Sequence, residues 1–217
     1  MTNTTPFSWN LYHQAPIIGN IRGKPKDLIL KIAKAYQEAG LTNLEITMNT
    51  EEVQNILTTL RKDFPNLNIG AGTVCNEQDL ERAVQAGAQY IVTPILEEQV
   101  IRKAVGQKIP IFPGAFTPSE IYKAWQLGAA AVKVFPASQL GPSFVKEVRG
   151  PLDNIKLIPT GGVNLTNLTA YFKAGAFGVG MGSCLWDKSF IQQRDFEGLT
   201  KHFRKIKAAL NIVTEKV

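Results

Sequence analysis

Two cysteines and two histidines are all that this 217-residue chain holds of the side chains that build most metal and redox centres. Cys75 and Cys184 lie far apart and match no metal or redox spacing, so they read as core thiols. His13 and His202 sit near opposite ends. A structural zinc site needs about four converging ligands, so no metal and no cofactor is expected. No apolar run is long enough to cross a bilayer, which leaves no reason to expect a membrane partner. The N-terminal stretch MTNTTPFSWNLYHQ lacks the basic start and apolar core of a secretion signal, and a cytoplasmic location is expected. Linkers and low-complexity tracts are also missing. With 44% hydrophobic and 19% charged residues, 1–217 is expected to form one soluble domain.

Acidic charge is in deficit, 18 residues against 24 basic ones, for a formal net charge of +6. The surplus is scattered. Its densest stretch, Lys201 to Lys207, lies on a helical pattern that carries Phe203, Ile206 and Leu210 on the opposite side. That is the arrangement of a solvated helix face, and no nucleic-acid partner is expected. The surplus is compatible with a small anionic substrate.

What the chain does have is a regular alternation. Short apolar runs at 16–21, 44–47, 68–73, 90–93, 109–114, 130–135, 155–160 and 177–182 read as strands. Helical patterns follow at 25–39, 51–63, 77–86, 97–105, 118–127, 143–148, 165–173 and 196–210, with a polar connection before the last. Strands apolar on both faces belong to a parallel sheet covered by helices. Eight such units at short spacing predict an α/β fold of the (β/α)₈ barrel type. Residues 1–15 are expected to form a cap segment, with a short extra helix over 6–14 on the barrel floor.

In that architecture chemistry belongs at the C-terminal ends of the strands. Polar residues collect there: Arg22, Glu45, Thr73, Thr93, Lys133, Thr160 and Ser183. Lys133 interrupts AAAVKVFPAS, an otherwise buried run. Either its stem runs through the apolar layer and the ammonium reaches solvent, or desolvation makes the amine neutral and nucleophilic, as a Schiff base with a ketone requires. Glu45 interrupts LEIT in the same way, either as half of an internal ion pair or as an acid/base. Phe135, two residues beyond Lys133, shares its face and is placed either to pack the barrel or to wall the amine. PTGGV at 159–163 and GMGS at 180–183 place glycines after the seventh and eighth strands, where they serve as tight turns or let backbone N–H groups approach an anion.

Glu45 in LEIT, IGAGTV at 69–74, VKVFPAS at 132–138, PTGGV and GMGS occur in this order along nearly the whole chain. Together they resemble the 2-keto-3-deoxy-6-phosphogluconate (KDPG) and 2-keto-3-deoxy-6-phosphogalactonate aldolases, class I enzymes with a barrel fold. The resemblance implies reversible cleavage of a phosphorylated keto sugar acid to pyruvate and glyceraldehyde 3-phosphate, with 4-hydroxy-2-oxoglutarate as a further substrate. It puts the Schiff base on Lys133 and proton transfer on Glu45. Thr73 and Arg22 would hold the pyruvyl portion, with Pro94 and Phe135 beside it. Gly161, Gly162, Gly182 and Ser183 would hold the phosphate, and Thr160 would bear on the stereochemical choice at C4. It also implies a homotrimer. The branch signals divide: Arg22 in IRG and Asn49 after the glutamate resemble the galactonate enzymes, whereas Thr160 resembles the gluconate enzymes. Two other classes use the same residues differently. A phosphate-binding barrel isomerase or synthase would use Glu45 as base and Lys133 as a clamp, and a non-catalytic sugar-phosphate binder would need neither reaction.

Overall fold

The computed structural model describes residues 6–214, with side chains to residue 210. Residues 1–5 of the expected cap and 215–217 of the expected domain lie outside the described residues. The chain opens with α1 (Trp9–Gln14), β1 (Ile17–Ile21), α2 (Lys26–Glu38), β2 (Asn43–Thr47), α3 (Val53–Asp63), β3 (Asn68–Gly72) and α4 (Glu77–Gln85). It continues through β4 (Ile91–Val92), α5 (Glu98–Gly106), β5 (Ile111–Phe112), β6 (Gly114–Ala115), α6 (Pro118–Gln126) and β7 (Val132–Val134). Then come α7 (Gly141–Arg149), β8 (Leu157–Pro159), α8 (Leu168–Lys173), β9 (Val179–Met181), α9 (Lys188–Gln193) and α10 (Phe196–Thr214).

Each helix exists because one stripe of it is apolar. In α2, Ile29, Ile32, Ala33 and Tyr36 recur at the three-to-four spacing of one face and are all buried. In α6, Thr117 and Glu120 form a reciprocal capping box and Pro118 occupies the first turn, so the start is fixed by three local signals at once. Phe203, Ile206 and Leu210 of α10 are buried, and Arg204 and Lys205 between them are exposed. Each fully buried Leu, Ile or Phe contributes on the order of 1.5–3 kcal/mol relative to exposure.

All strand pairs are parallel, in two sheets with orders β5-β4-β3-β2-β1-β9 and β6-β7-β8. The fifth apolar run, read as one strand over 109–114, is divided at Pro113. Proline has no N–H for the ladder, and the next amide, Gly114 N, donates to the Thr93 hydroxyl instead of a neighbouring carbonyl. Backbone bonds nevertheless cross both seams. Lys133 N donates to Pro113 O, Phe177 N donates to Leu157 O, and Thr160 bridges Gly180 in parallel.

Two hydrophobic clusters follow from the strand pleat. The larger lies between strands and helices and includes Ile17, Ile21, Leu44, Ile46, Val132 and Val134. The smaller joins Ile18, Tyr90, Val92, Phe112, Ala131 and Ile158 with Tyr12 of α1. Ile17 and Ile18 face opposite sides because successive residues of a strand do. Helix α1 packs below this second cluster. Asn68 binds both the Ser8 N–H and carbonyl, and Asn43 donates to Ala15 O, so the polar starts of β2 and β3 tie down the N-terminal segment.

Several boundaries differ from the sequence expectation. The helix expected from 165 begins at Leu168, because Asn164 Oδ1 accepts from the amides of Thr166 and Asn167 and satisfies groups a first helical turn would use. The helix expected over 143–148 runs over Gly141–Arg149, and α3 starts at Val53, not 51. The polar connection before the last helix contains α9, whose start is capped by Asp187 accepting from Ser189 N. Among the described residues, no helix is long and apolar enough to cross a membrane.

Candidate active site

Continuing the inward face of each strand upward from the small cluster leads to the functional groups. Two residues past Ile18 stands Asn20, two past Ala131 stands Lys133, and two past Ile158 stands Thr160. In β2 the same alternation takes Asn43 to Glu45. A cavity of about 540 Å³ opens at this level. Its wall includes Asn20 and Arg22 after β1, Lys133 and Phe135 of the β7 run, Thr160 to Gly162 after β8, and Gly182 and Ser183 after β9. Lys24, Trp186, Lys188, Ile191 and Gln192 line its outer part.

Lys133 is 7% exposed and Glu45 is 3% exposed. Burial pushes the Lys133 ammonium below its usual pKa; the negative charge of Glu45 opposes that shift and the positive charge of Arg22 adds to it. Burial likewise pushes the Glu45 carboxyl above the usual carboxylate range, against the attraction of Lys133, the Asn20 hydrogen bond and Arg22. Both groups thus shift toward their neutral forms, for the same dielectric reason. The Lys133 Nζ lies 4.8 Å from the centre of the Phe135 ring, the wall expected from their shared strand face.

Glu45 itself is not on the cavity wall; Asn20 stands between, donating from Nδ2 to Glu45 Oε1 at 2.6 Å. The carboxylate lies over Gly72, where any Cβ would collide with it. Thr73 is also off the wall, in the left-handed region at φ 57°, and its hydroxyl accepts from Arg22 at 3.4 Å. Pro94 is also off the wall: its backbone packs on Gly114, the residue that pairs with Lys133, and the neighbouring Thr93 hydroxyl is taken up by the Gly114 amide and the Ile95 carbonyl. The cavity wall therefore brings together Arg22, Lys133, Phe135, Thr160, Gly161, Gly162, Gly182 and Ser183, with Glu45 and Thr73 one hydrogen bond behind and Pro94 behind Gly114, the strand neighbour of Lys133.

The glycines shape the far end. Gly161 and Gly162 have φ of 94° and 76°, and a Cβ on Gly162 would stand 2.7 Å from the Ser138 Cβ. Because α8 starts only at Leu168, this pair lies in a turn and not at a helix start; its anion-binding capacity rests on exposed amides and space, without a macrodipole behind it. Lys24 and Lys188 add positive charge at the rim. Asn20, Lys24 and Lys188 are not among the residues the sequence singles out. Asn20 carried a readable signal, a polar residue inside the apolar run IIGNI; the lysines carried none, since surface lysines are common.

Among the described residues, no three His, Cys, Asp or Glu side chains cluster as metal ligands. Parallel strands covered by helices, with a cavity at the strand C-terminal ends and a buried amine in its wall, define an α/β protein with a cleft where such folds carry their sites. The chain belongs to the KDPG and KHG aldolase family, whose model matches residues 9–202. It is 36% identical over 169 residues to the 2-dehydro-3-deoxy-phosphogluconate aldolase of Pseudomonas aeruginosa, covering 77% of each chain. It is 34% identical over 173 residues to the 2-dehydro-3-deoxy-6-phosphogalactonate aldolase of Escherichia coli, covering 79% of this chain and 84% of that one. Among solved structures it is similar to native KDPGal, with a TM-score of 0.87 at 29% identity over 97% of this chain and all of that one. The KDPG aldolase of Legionella pneumophila, captured with pyruvate as a covalent carbinolamine, gives 0.82 at 27% identity over 90% of this chain and 96% of that one.

Proposed function

We propose that this protein is a class I aldolase that reversibly cleaves a 2-keto-3-deoxy-6-phospho sugar acid to pyruvate and glyceraldehyde 3-phosphate. The observation that carries the reading is Lys133: an amine 7% exposed, lowered in pKa by burial, in the wall of a cavity whose other end is built from glycine turns. Family membership supplies the reaction class, and the relatives' names supply both the gluconate and galactonate epimers.

Neutral Lys133 attacks the C2 ketone to give a carbinolamine. Protonated Glu45 gives its proton to the departing hydroxyl, water leaves, and the iminium forms. As a carboxylate, Glu45 then takes the C4 hydroxyl proton, directly or through a water, while the C3–C4 bond breaks and its electrons pass into the iminium, leaving an enamine and the aldehyde. Returning that proton to C3 gives the pyruvyl iminium, which water hydrolyses to pyruvate and free Lys133. Arg22 suits the pyruvyl carboxylate, with Thr73 holding its guanidinium. Gly161, Gly162, Gly182 and Ser183 suit the phosphate, and Thr160 stands between. Pro94, packed on the strand partner of Lys133, suits a place beside the pyruvyl portion.

The same reading takes the two sheets as one closed (β/α)₈ barrel in a single domain, supported by the backbone bonds across both seams. It takes the assembly as a homotrimer in the cytoplasm. Ile95 and Phe116, 50% and 41% exposed after β4 and β6, are apolar surface suited to a subunit contact. An isomerase or a binding protein would leave the buried amine without a reaction. Pyruvate release from each C4 epimer, with and without EDTA, tests the proposal. Release from at least one epimer that Lys133→Met abolishes is expected; undiminished release by that variant would refute it.

A further inference from the structure

Sheet order places β1 between β2, which carries Glu45, and β9, which leads into Gly182. Register sharpens this: Asn20 pairs with Glu45 across one side of β1, and Gly19 pairs with Met181 across the other. Asn20 therefore stands between the proton-transferring carboxylate and the glycine turn at the anion end. Trp186 Nε1 donates to the Asn20 carbonyl at 2.7 Å and holds the strand end against the β9 connection.

The Asn20 amide has only one orientation when Glu45 is ionised. A carboxylate accepts and cannot donate, so the amide nitrogen must face it, as it does at 2.6 Å. The amide oxygen is then turned away from Glu45 and toward Gly182. A Cβ built on Gly182 would stand 3.9 Å from Asn20 Oδ1, with no other atom so near. No described residue donates to this oxygen. Asn20 thus presents an oriented, unused acceptor to the cavity.

We infer that Asn20 is a specificity residue, its Oδ1 accepting a hydrogen bond from the C5 hydroxyl of the sugar acid. The inference rests on the aldolase reading above, which puts C2 at Lys133, the C4 hydroxyl at Glu45 and the phosphate on C6 at Gly182. C5 then falls between Glu45 and Gly182, where Asn20 stands. The hydroxyl donates, the amide oxygen accepts, and the bond recognises the glyceraldehyde 3-phosphate half. An acceptor aldehyde without that hydroxyl leaves a desolvated oxygen unpaired.

The synthetic direction tests this. Pyruvate is combined with D-glyceraldehyde 3-phosphate or with 3-oxopropyl phosphate, which has the same length and phosphate but no hydroxyl at that carbon. The parent is expected to favour the hydroxylated aldehyde in kcat/KM by about 10-fold or more, the worth of one hydrogen bond. Asn20→Leu, a near-isostere without the acceptor, and Asn20→Ala should each bring that ratio close to one. Exchange of the pyruvate methyl protons with deuterated water reads Lys133 and Glu45 without any aldehyde; it is expected to slow in both variants, which also lose the donor to Glu45, and because that loss is common to both aldehydes it cancels in their ratio. An unchanged ratio with equal losses on both aldehydes would overturn the inference, leaving Asn20 only a positioning residue for Glu45. Failure of the parent to exchange pyruvate protons would overturn the aldolase reading itself.

Discussion

The carboxylate of Glu45 occupies the space that a side chain on Gly72 would need. The two residues belong to neighbouring parallel strands, in which Glu45 pairs with Gly70 and Thr47 with Gly72. A glycine at the end of β3 is therefore what lets a charged side chain lie flat across the strand, close to Lys133.

Gly72→Ala should cost about 1–3 kcal/mol of stability, as forced overpacking of a filled interior does, and should slow pyruvate methyl proton exchange. Combining it with Glu45→Ala removes the collision. Urea unfolding should then show the double variant more stable than Gly72→Ala alone, while proton exchange stays lost. Equal stability of both variants would argue that the carboxylate simply moves aside.

The titration of Lys133 gives a pH prediction with a definite sign. Only the neutral amine attacks, so the initial rate of adduct formation at saturating pyruvate should rise with pH toward a midpoint below the usual lysine value. The Glu45 charge opposes the lowering and the Arg22 charge assists it. Glu45→Gln should therefore move the midpoint to lower pH, and Arg22→Gln to higher pH. Shifts in the reverse directions would contradict the electrostatic account.

Lys133→Met should be inactive yet more stable by about 1 kcal/mol near neutral pH, because it replaces a desolvated cation with an apolar chain of similar length. Since the folded-state pKa is depressed, the unfolded parent binds more protons in the window between the folded and ordinary values. The parent's penalty is full below that window and fades as pH rises through it, so the stability gap should narrow in alkaline solution. Denaturation midpoints across pH measure this.

Gly162→Ala places a Cβ 2.7 Å from the Ser138 Cβ at a φ of 76°, a backbone region L-residues seldom adopt. The expected result is a KM for the phosphorylated substrate raised by about 10-fold, of the order of one lost anion contact. Pyruvate trapping on Lys133 should be unchanged. A variant that lost trapping as well would show the turn to support the amine and not the anion.

The buried anomalies were legible in the sequence because charge inside an apolar strand has few explanations. Lys133 and Glu45 stood out for that reason, and Asn20 in IIGNI had the same signal in a weaker, uncharged form. The strand–helix rhythm also gave the element order, since two- and four-residue periods survive local variation. Boundaries fared less well where a side chain replaces a backbone partner, as at Pro113 and Asn164. Helix α9 was illegible: six residues, none fully buried, with only Phe190 and Ile191 packed against the core and an aspartate cap at its start. Pro94 entered by resemblance alone, and its position depends on how the loop after β4 meets Gly114.

The central claim is that Lys133 forms an imine with pyruvate. Incubating the protein with pyruvate and borohydride, then mapping the adduct by peptide mass, tests it most directly. The account predicts one reduced pyruvyl group, on Lys133, absent from Lys133→Met. No adduct, or an adduct on Lys24 or Lys188 at the cavity rim, would contradict it.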